Sequence, residues 1–289
     1  MKLTTFLSLV ASASLSWAAP AFALTPHTVT LNFEELSQRG LELAQEAAQL
    51  SQFQQYLLAL QRAELATQLV PGDYRVWALV ADIQLRTNQT EAALVALQKA
   101  QAIAPEEPTL LFAMGSVYFR QQNYAMAASS IQAGLRLKPN VPGALFDLGN
   151  VYYVQKDYIK ALATYEQAIA QKEDFWEAIN NMGLVRYEQD DRNQAISFWR
   201  QALKINDKAS EPQLALGVAL FVQGDREEGI NQAIMALSRD SRYGDVDFLR
   251  EQLWGDRILA DTATLLAVPA VREALIRARE AAEAEPALP

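Results

Sequence analysis

The sequence predicts an all-α protein built as a solenoid of helix–turn–helix repeats. The chain has 289 residues, and the stretch from Gly40 to Tyr243 divides into six blocks of 34 residues with no insertion. Positions 8, 20 and 27 of the block hold only Ala or Gly in all six copies. Columns of small side chains let two helices approach to about 8 Å, and an internal period of this length is typical of a solenoid. Position 32 is proline in the first three blocks, so a helix must end before it.

Composition excludes several classes of function. The net charge of −9 argues against nucleic acid and against an anionic membrane surface as the main partner, because both require clustered Lys and Arg. Cysteine is absent and His27 is the only histidine, so thiol nucleophiles, His bases and multi-His metal sites are not expected. Four acidic pairs stand at predicted helix starts, where negative charge is stabilising: Glu34-Glu35, Glu106-Glu107, Asp190-Asp191 and Glu227-Glu228. We therefore expect neither an enzyme nor a bound cofactor or metal.

The N-terminal segment, residues 1–23, has the pattern of an export signal. Met1 and Lys2 precede a mostly apolar stretch, and the small-x-small ending at Ala21–Ala23 predicts cleavage after Ala23. The alternative is an uncleaved membrane anchor, since the stretch is long enough to cross a bilayer. No later stretch approaches about 18 uninterrupted apolar residues. We expect an exported chain that meets a membrane only through this segment or through a membrane-bound partner.

Each block is predicted to contain two helices, a short turn between them and a polar or proline turn after them. Residues 24–39 lead into the first helix, which we expect to begin near Phe33 behind an Asn32 cap. The six repeats then occupy 40–73, 74–107, 108–141, 142–175, 176–209 and 210–243. Position 16 is expected to cap the second helix of the last four blocks, at Asn123, Asp157, Asp191 and Asp225.

Residues 244–289 are expected to form capping helices and a tail. Helical patterns cover Val246 to Trp254, Arg257 to Ala267 and Ala270 to Ala284, with a break at Pro269. We expect the first of these segments to cover the open end of the stack. The last segment, rich in Ala, Arg and Glu, is expected to fray.

The block resembles the tetratricopeptide repeat (TPR). That family has a large apolar residue at position 4, a small one at 8, Tyr at 11, Ala at 20, an aromatic residue at 24, Ala at 27 and Pro at 32. The third block matches most fully, with Leu111, Gly115, Tyr118, Ala127, Ile131 and Pro139. The fourth departs at Glu173, and the first and sixth are weaker, as terminal repeats are. The resemblance covers residues 40–243 and implies a right-handed superhelix whose concave groove holds a protein or peptide.

Candidate binding residues come from the first helix of each block. Positions 5, 9 and 12 lie about 100° around the helix from the stripe that packs on the second helix, and in the TPR family they line the concave groove. The candidates are aromatic rings, side-chain amides and a basic rim: Arg86, Phe112, Phe119, Arg120, Phe146, Asn150, Tyr153, Asn180, Tyr187 and Phe221. The alternative is that these aromatic residues pack against the next repeat. The Lys-based carboxylate site of some TPRs is not expected, because position 5 has no Lys.

Two classes of function remain. The first is a non-enzymatic scaffold or assembly factor that binds a partner protein or peptide in the groove. The second is a periplasmic small-molecule receptor or an enzyme whose pocket is closed by the C-terminal helices. The strict repeat register, without inserted loops, favours the first class.

A narrower resemblance is to cyanobacterial TPR proteins of the photosynthetic membrane, among them the protochlorophyllide oxidoreductase-interacting TPR family. It is carried by the export signal, few Lys, abundant Gln and the segment Trp254-Gly255-Asp256-Arg257. This resemblance implies a periplasmic or thylakoid location and a role in membrane biogenesis or in stabilising a pigment enzyme.

Overall fold

The protein is all-α, as predicted. The computed structural model describes residues 32–284, so the predicted export signal, residues 1–23, and His27 lie outside the described part. That part contains fifteen α-helices and one short 3-10 helix, Ser241–Gly244. The α-helices are α1 (Phe33–Gln52), α2 (Tyr56–Leu69), α3 (Tyr74–Arg86), α4 (Thr90–Ile103), α5 (Pro108–Arg120), α6 (Tyr124–Leu137), α7 (Pro142–Val154), α8 (Tyr158–Gln171), α9 (Trp176–Glu188), α10 (Arg192–Ile205), α11 (Ser210–Gln223), α12 (Arg226–Arg239), α13 (Val246–Glu251), α14 (Asp256–Leu266) and α15 (Pro269–Ala284).

Helices α1–α12 form six hairpins, and each hairpin packs on the next. The strongest contacts join the two helices of a hairpin, and the second helix of one hairpin then packs on the first helix of the following one. This alternation extends from α1 to α12 and gives the TPR-like solenoid that the 34-residue period predicts. Its cores lie between helices along the whole stack, as expected for a repeat architecture.

Local signals set the helix boundaries. The side chains of Asn123, Asp157 and Asp191 accept hydrogen bonds from backbone N–H groups of the second helices, as predicted, whereas Asp225 forms no such bond. The turn before each cap has a second regularity: position 15 has positive φ in all six blocks, at Gln54, Asn88, Gln122, Lys156, Asp190 and Gly224. A left-handed residue ends the first helix each time and reverses the chain within two or three residues.

The Ala and Gly columns lie inside the hairpins. Ala59, Ala93, Ala127, Ala161 and Ala195, all at position 20, are fully buried. In the fifth block the Trp199 ring fills the space beside Gly183, so that a Cβ on Gly183 would overlap the indole. Small residues therefore lie opposite large ones across the hairpin.

The two ends of the stack differ. Three positions of α3 pack on the first hairpin and are apolar and buried: Val76, Val80 and Ile83. The same three positions of α1 face outward and are polar: Glu42, Glu46 and Gln49. Ion pairs from Arg39 to Glu42 (2.9 Å) and from Arg62 to Glu46 (3.8 Å) extend over this solvated face. The outward face of α1 is therefore polar at the positions where α3 is apolar.

At the other end, α15 covers α12, which corrects two predictions. We expected the first C-terminal segment to cover the open end and the last segment to fray. Instead α15 packs on α12 and buries Val271, Ala274 and Leu275, while the first segment forms α13, which contacts α14 and the 3-10 helix. The α15 segment has many Ala, Arg and Glu residues and few large apolar ones, so its apolar stripe is hard to recognise in the sequence. For this reason the sequence suggested a tail.

Candidate protein-binding groove

The first helices of the hairpins form the inner face of the solenoid. Contacts join α1 with α3, α5 with α7, α7 with α9, and α9 with α11 directly. Within the described part, contacts between successive second helices do not reach the same extent. Because the first helices lie closer together than the second helices, the first helices line the concave side of the solenoid.

The C-terminal half of this inner face is covered by α14. This helix packs on α9 and α11, the first helices of the fifth and sixth blocks. Its apolar residues Ile258, Leu259 and Leu265 are buried in the contact. The groove is therefore filled at this end by the chain itself, and only the stretch formed by α1, α3, α5 and α7 stays open.

Polar contacts fix the position of α14. Two backbone N–H groups at its first turn, those of Arg257 and Ile258, donate to the Glu188 carboxylate at 3.4 and 3.2 Å. The Tyr187 hydroxyl donates to Asp261 at 2.6 Å. A carboxylate at a helix N-terminus is stabilised by the free N–H groups there and by the helix dipole. These contacts hold α14 against the inner face of the solenoid.

A buried acidic group supports the segment before α14. Trp254 donates its indole N–H to the Glu211 carboxylate at 3.1 Å. Burial raises the pKa of Glu211 to about 7, although the bond from Trp254 opposes the shift. The carboxyl group of Glu211 therefore titrates near neutral pH at the point where the chain turns into the groove.

Four of the ten predicted contact residues are buried: Tyr153, Asn180, Tyr187 and Phe221. The Tyr187 side chain is 0% exposed, beneath α14 and against Trp199. The Phe221 ring lies beside Arg226, 4.2 Å from its guanidinium carbon. A partner could touch these side chains only after α14 or its neighbours moved. In this structure the four side chains pack within the protein, as the alternative in the sequence analysis expects.

Amide side chains join blocks four and five. The Asn150 Oδ1 atom accepts from the Tyr165 hydroxyl at 2.7 Å and from the Asn181 amide at 2.8 Å. Asn180, itself 1% exposed, donates to Asn181 at 3.1 Å. The bond between Asn150 and Asn181 thus joins the first helices of blocks four and five, and Asn180 supports the Asn181 side chain.

The remaining candidates lie on the open part. Phe112 fills the space beside Gly134, and Phe146 packs on Tyr165 and Phe175, so both are half-buried. Phe119 is half-buried and meets Tyr124 edge-on at 5.5 Å.

The basic rim predicted at position 13 consists of exposed side chains. The Arg86 guanidinium pairs with Asp82 at 2.8 Å. Arg120 donates to the backbone carbonyl of Leu85 at 3.0 Å, across to the preceding block. Both guanidinium groups therefore have partners within the array.

Sequence reasoning missed a pocket between α5 and α7. It has a volume of about 150 Å³ and is lined by Gly115, Ser116, Phe119, Arg120, Ile131, Asp147 and Asn150. Asp147 stands at position 6 of its block, outside the stripe of positions 5, 9 and 12. Loss of solvation on burial raises the pKa of Asp147 to about 6. The signal in the sequence was an acidic residue at position 6 of a predicted first helix, next to the groove stripe.

Comparisons with known proteins agree with this geometry. Residues 112–174 match the family model of the tetratricopeptide repeat, and residues 87–133 match that of YpiA-like tetratricopeptide repeats. No curated protein matches the sequence of the chain. Together the two family matches cover residues 87–174, which lie within the TPR-like solenoid that the helices form.

Solved structures support the same fold. PilF of Pseudomonas aeruginosa is similar at 17% identity and a TM-score of 0.62, over 77% of this chain and 99% of PilF. A chain of the Cut9–Hcn1 hetero-tetramer of the APC/C is similar at 14% identity and a TM-score of 0.63, over 84% of this chain and 45% of that one. The thermophilic TPR protein TTC0263 of Thermus thermophilus has 21% identity and a TM-score of 0.52, over 63% of this chain and 99% of TTC0263. At these identities the likeness concerns the fold alone.

Two further findings concern the described residues. None of the helices within 32–284 has both the length and the apolar content needed to cross a bilayer. In the same stretch, no group of three or more His, Asp or Glu side chains is placed to hold a metal ion.

Proposed function

We propose that this protein is a non-catalytic scaffold that holds a segment of a partner protein in the open part of its groove, along α3, α5 and α7. The observation that carries the proposal is the contrast along the inner face. Over α9 and α11 the face is covered by α14, whereas beside α5 and α7 a pocket with an aromatic wall stays open. Clefts with a few polar groups on apolar walls are the usual sites of ligand binding.

Substitution of Phe119 tests the proposal. We expect Phe119→Ala to reduce capture of the partner by roughly tenfold or more in a crosslinking pull-down from the native host, because an aromatic anchor of the groove is lost. Tyr153 and Tyr187 are unsuitable for this test, since both are buried and their removal would disturb packing. The matched control is Met126→Ala on α6, a truncation of an exposed apolar side chain outside the pocket. If both variants capture the partner as well as the wild type does, the partner does not bind in the groove.

The alternative of a receptor or enzyme requires an enclosed chamber beneath the C-terminal helices. Here α14 packs directly on α9 and α11 and buries its own apolar side chains there. The space that a receptor or enzyme pocket would need is therefore filled by α14, and this favours the scaffold.

Export is the second part of the proposal and rests on residues 1–23. The expected mature N-terminus is Leu24, after cleavage at Ala23. Mass spectrometry of the protein purified from its host measures this directly, and an intact N-terminus in a membrane fraction would favour the anchor.

The narrowest form of the proposal places the scaffold at a photosynthetic membrane, in membrane biogenesis or in stabilising a pigment enzyme. It rests on the sequence resemblance alone, since the similar structures point to no particular membrane. Fractionation of the host, with co-purification of thylakoid proteins as the expected result, tests it.

A further inference from the structure

We propose that the pocket between α5 and α7 receives one cationic side chain, Lys or Arg, of the bound partner, with Asp147 as its counter-ion. The inference rests on the proposed function, because the side chain must come from a segment lying in the open groove. It adds the chemistry of recognition: a positively charged residue at one fixed position of that segment.

The pocket has the size of a single side chain. Its volume of about 150 Å³ is comparable to that of a cavity that holds one benzene ring. Gly115 and Ile131 form part of its wall, and a Cβ on Gly115 would overlap the Ile131 side chain. The absent side chain at Gly115 therefore lets Ile131 close the wall between the hairpin helices. A whole helix does not fit this space, whereas the end of one long side chain does.

The carboxylate in the pocket has no ion-pair partner among the described residues. Within residues 32–284 the Asp147 carboxylate has neither a hydrogen bond nor an ion pair. Buried carboxylates are normally paired, because loss of solvation is costly. Arg120 lines the same pocket and keeps its positive charge, since the Leu85 carbonyl to which it donates at 3.0 Å is neutral, but it forms no ion pair with Asp147. The pocket thus offers a half-buried negative charge without a partner.

The remaining walls suit a long cationic side chain. The Phe119 ring lines the pocket, where an aromatic ring can attract a cation, and its edge-on contact with Tyr124 holds it in place. Ser116 supplies a hydroxyl oxygen, and Ile131 can contact the methylene groups of Lys or Arg. An anionic side chain would meet the charge of Asp147, and an apolar one would bury that charge further. Charge complementarity therefore selects Lys or Arg.

Selection from a displayed library of random peptides, with the purified full chain as bait, provides the first test. We expect the enriched peptides to share a Lys or Arg at one aligned position. For a selected peptide, replacing that residue by norleucine should weaken binding to the wild type by roughly 10- to 100-fold, the scale of breaking a desolvated charge pair. Enriched peptides without a common cation would overturn the inference and leave the proposed scaffold function intact.

A double-mutant cycle locates the contact. On Asp147→Asn, replacing the peptide's cation by norleucine should change affinity by less than about threefold, because the counter-ion is gone. The matched control is Glu64→Gln, which removes the same charge from an exposed position on α2, a second helix outside the groove stripe. On that variant the peptide change should cost as much as on the wild type. An equal loss on Asp147→Asn and on the wild type would show that the cation binds elsewhere.

A third variant separates the inference from the scaffold proposal. Phe119→Ala should weaken every groove-bound peptide, whether or not it carries a cation. If no peptide is enriched, or if Phe119→Ala has no effect on those that are, the groove itself is not the binding site and both proposals fail.

Discussion

At the scale of single residues, packing inside the hairpins depends on matched sizes. In blocks three to five position 8 is Gly and position 24 is large, with Gly115 beside Ile131, Gly149 beside Tyr165 and Gly183 beside Trp199. In the sixth block a Cβ on Gly217 would instead meet the backbone of Gly229, so the two helices touch through their main chains. The position 8 column could be predicted from the sequence, but its pairing with position 24 required coordinates.

A glycine pair on α7 tests this packing. We expect Gly149→Ala to lower the free energy of unfolding by about 1–3 kcal/mol, because its Cβ would overlap the Tyr165 ring. Gly143→Ala in the same helix is the control, since nothing lies within 4 Å of its Cβ position. Thermal and urea unfolding followed by circular dichroism measure both. If the two variants unfold alike, size matching is not what position 8 contributes.

The carboxyl group of Asp147 gives stability a pH dependence of known sign. Its pKa is raised to about 6 by burial, whereas the unfolded chain has the ordinary value near 4. Between these values the folded state binds more protons, so this group makes stability fall as pH rises through about 4 to 6 and keeps it lower above that window.

Asp147→Asn should therefore be more stable than the wild type at pH 8, by about 1–3 kcal/mol. The difference should shrink on lowering the pH to 5, where the folded carboxyl is already protonated. Urea unfolding at both pH values, with Asp82→Asn as the exposed control, measures this. A wild type that is equally or more stable at pH 8 would mean that the carboxylate has a partner in solution.

At the scale of elements, α14 is the helix whose position the sequence did not predict. Its periodicity predicted an amphipathic helix correctly, but an apolar stripe does not specify which surface it covers. Either the end of the stack or the inner face could bury Ile258 and Leu265. The polar contacts of Glu188 and Tyr187 decide between them, and they join residues about 70 positions apart in sequence. Such distant pairs leave no local pattern.

Removal of the Glu188 carboxylate should loosen α14. We expect Glu188→Ala to accelerate backbone hydrogen exchange in α14 by roughly tenfold, because two N–H groups at its first turn lose their acceptor. Exchange in α15, which packs on α12, should not change. Glu166→Ala, an exposed position on α8, is the control. Unchanged exchange in α14 would show that its apolar contacts alone hold it.

At the scale of the whole molecule, the array ends differently on its two sides. The α1 end is solvated by charged side chains, whereas α12 needs the cover of α15. The repeats themselves could be predicted from Gly40 to Tyr243 because their pattern is local and recurs six times. The packing of α15 on α12 and the pocket beside Asp147 could not be predicted, because α15 and Asp147 occur once and follow no period.

Two adjacent residues of α15 test whether this helix stabilises the array by packing on α12. Leu275 is 9% exposed and Ile276 is 50% exposed. We expect Leu275→Asp to lower the free energy of unfolding by about 2–4 kcal/mol, because it buries an unpaired charge against α12. Ile276→Asp should change it by less than about 0.5 kcal/mol. Thermal unfolding and size-exclusion chromatography distinguish the two. Similar behaviour of both variants would mean that α15 detaches readily from the array.

In a repeat array each unit is normally coupled only to its neighbours, but α14 changes this on one side. It contacts the fifth and sixth repeats at once, and Asp256 at its start lies 3.6 Å from Lys156 of the fourth. Three repeats thus share one bridging helix, while the first three have none within the described residues. Local unfolding should consequently begin in the first three repeats and stop near the fourth, so that the α5 side of the candidate pocket opens while its α7 side stays held.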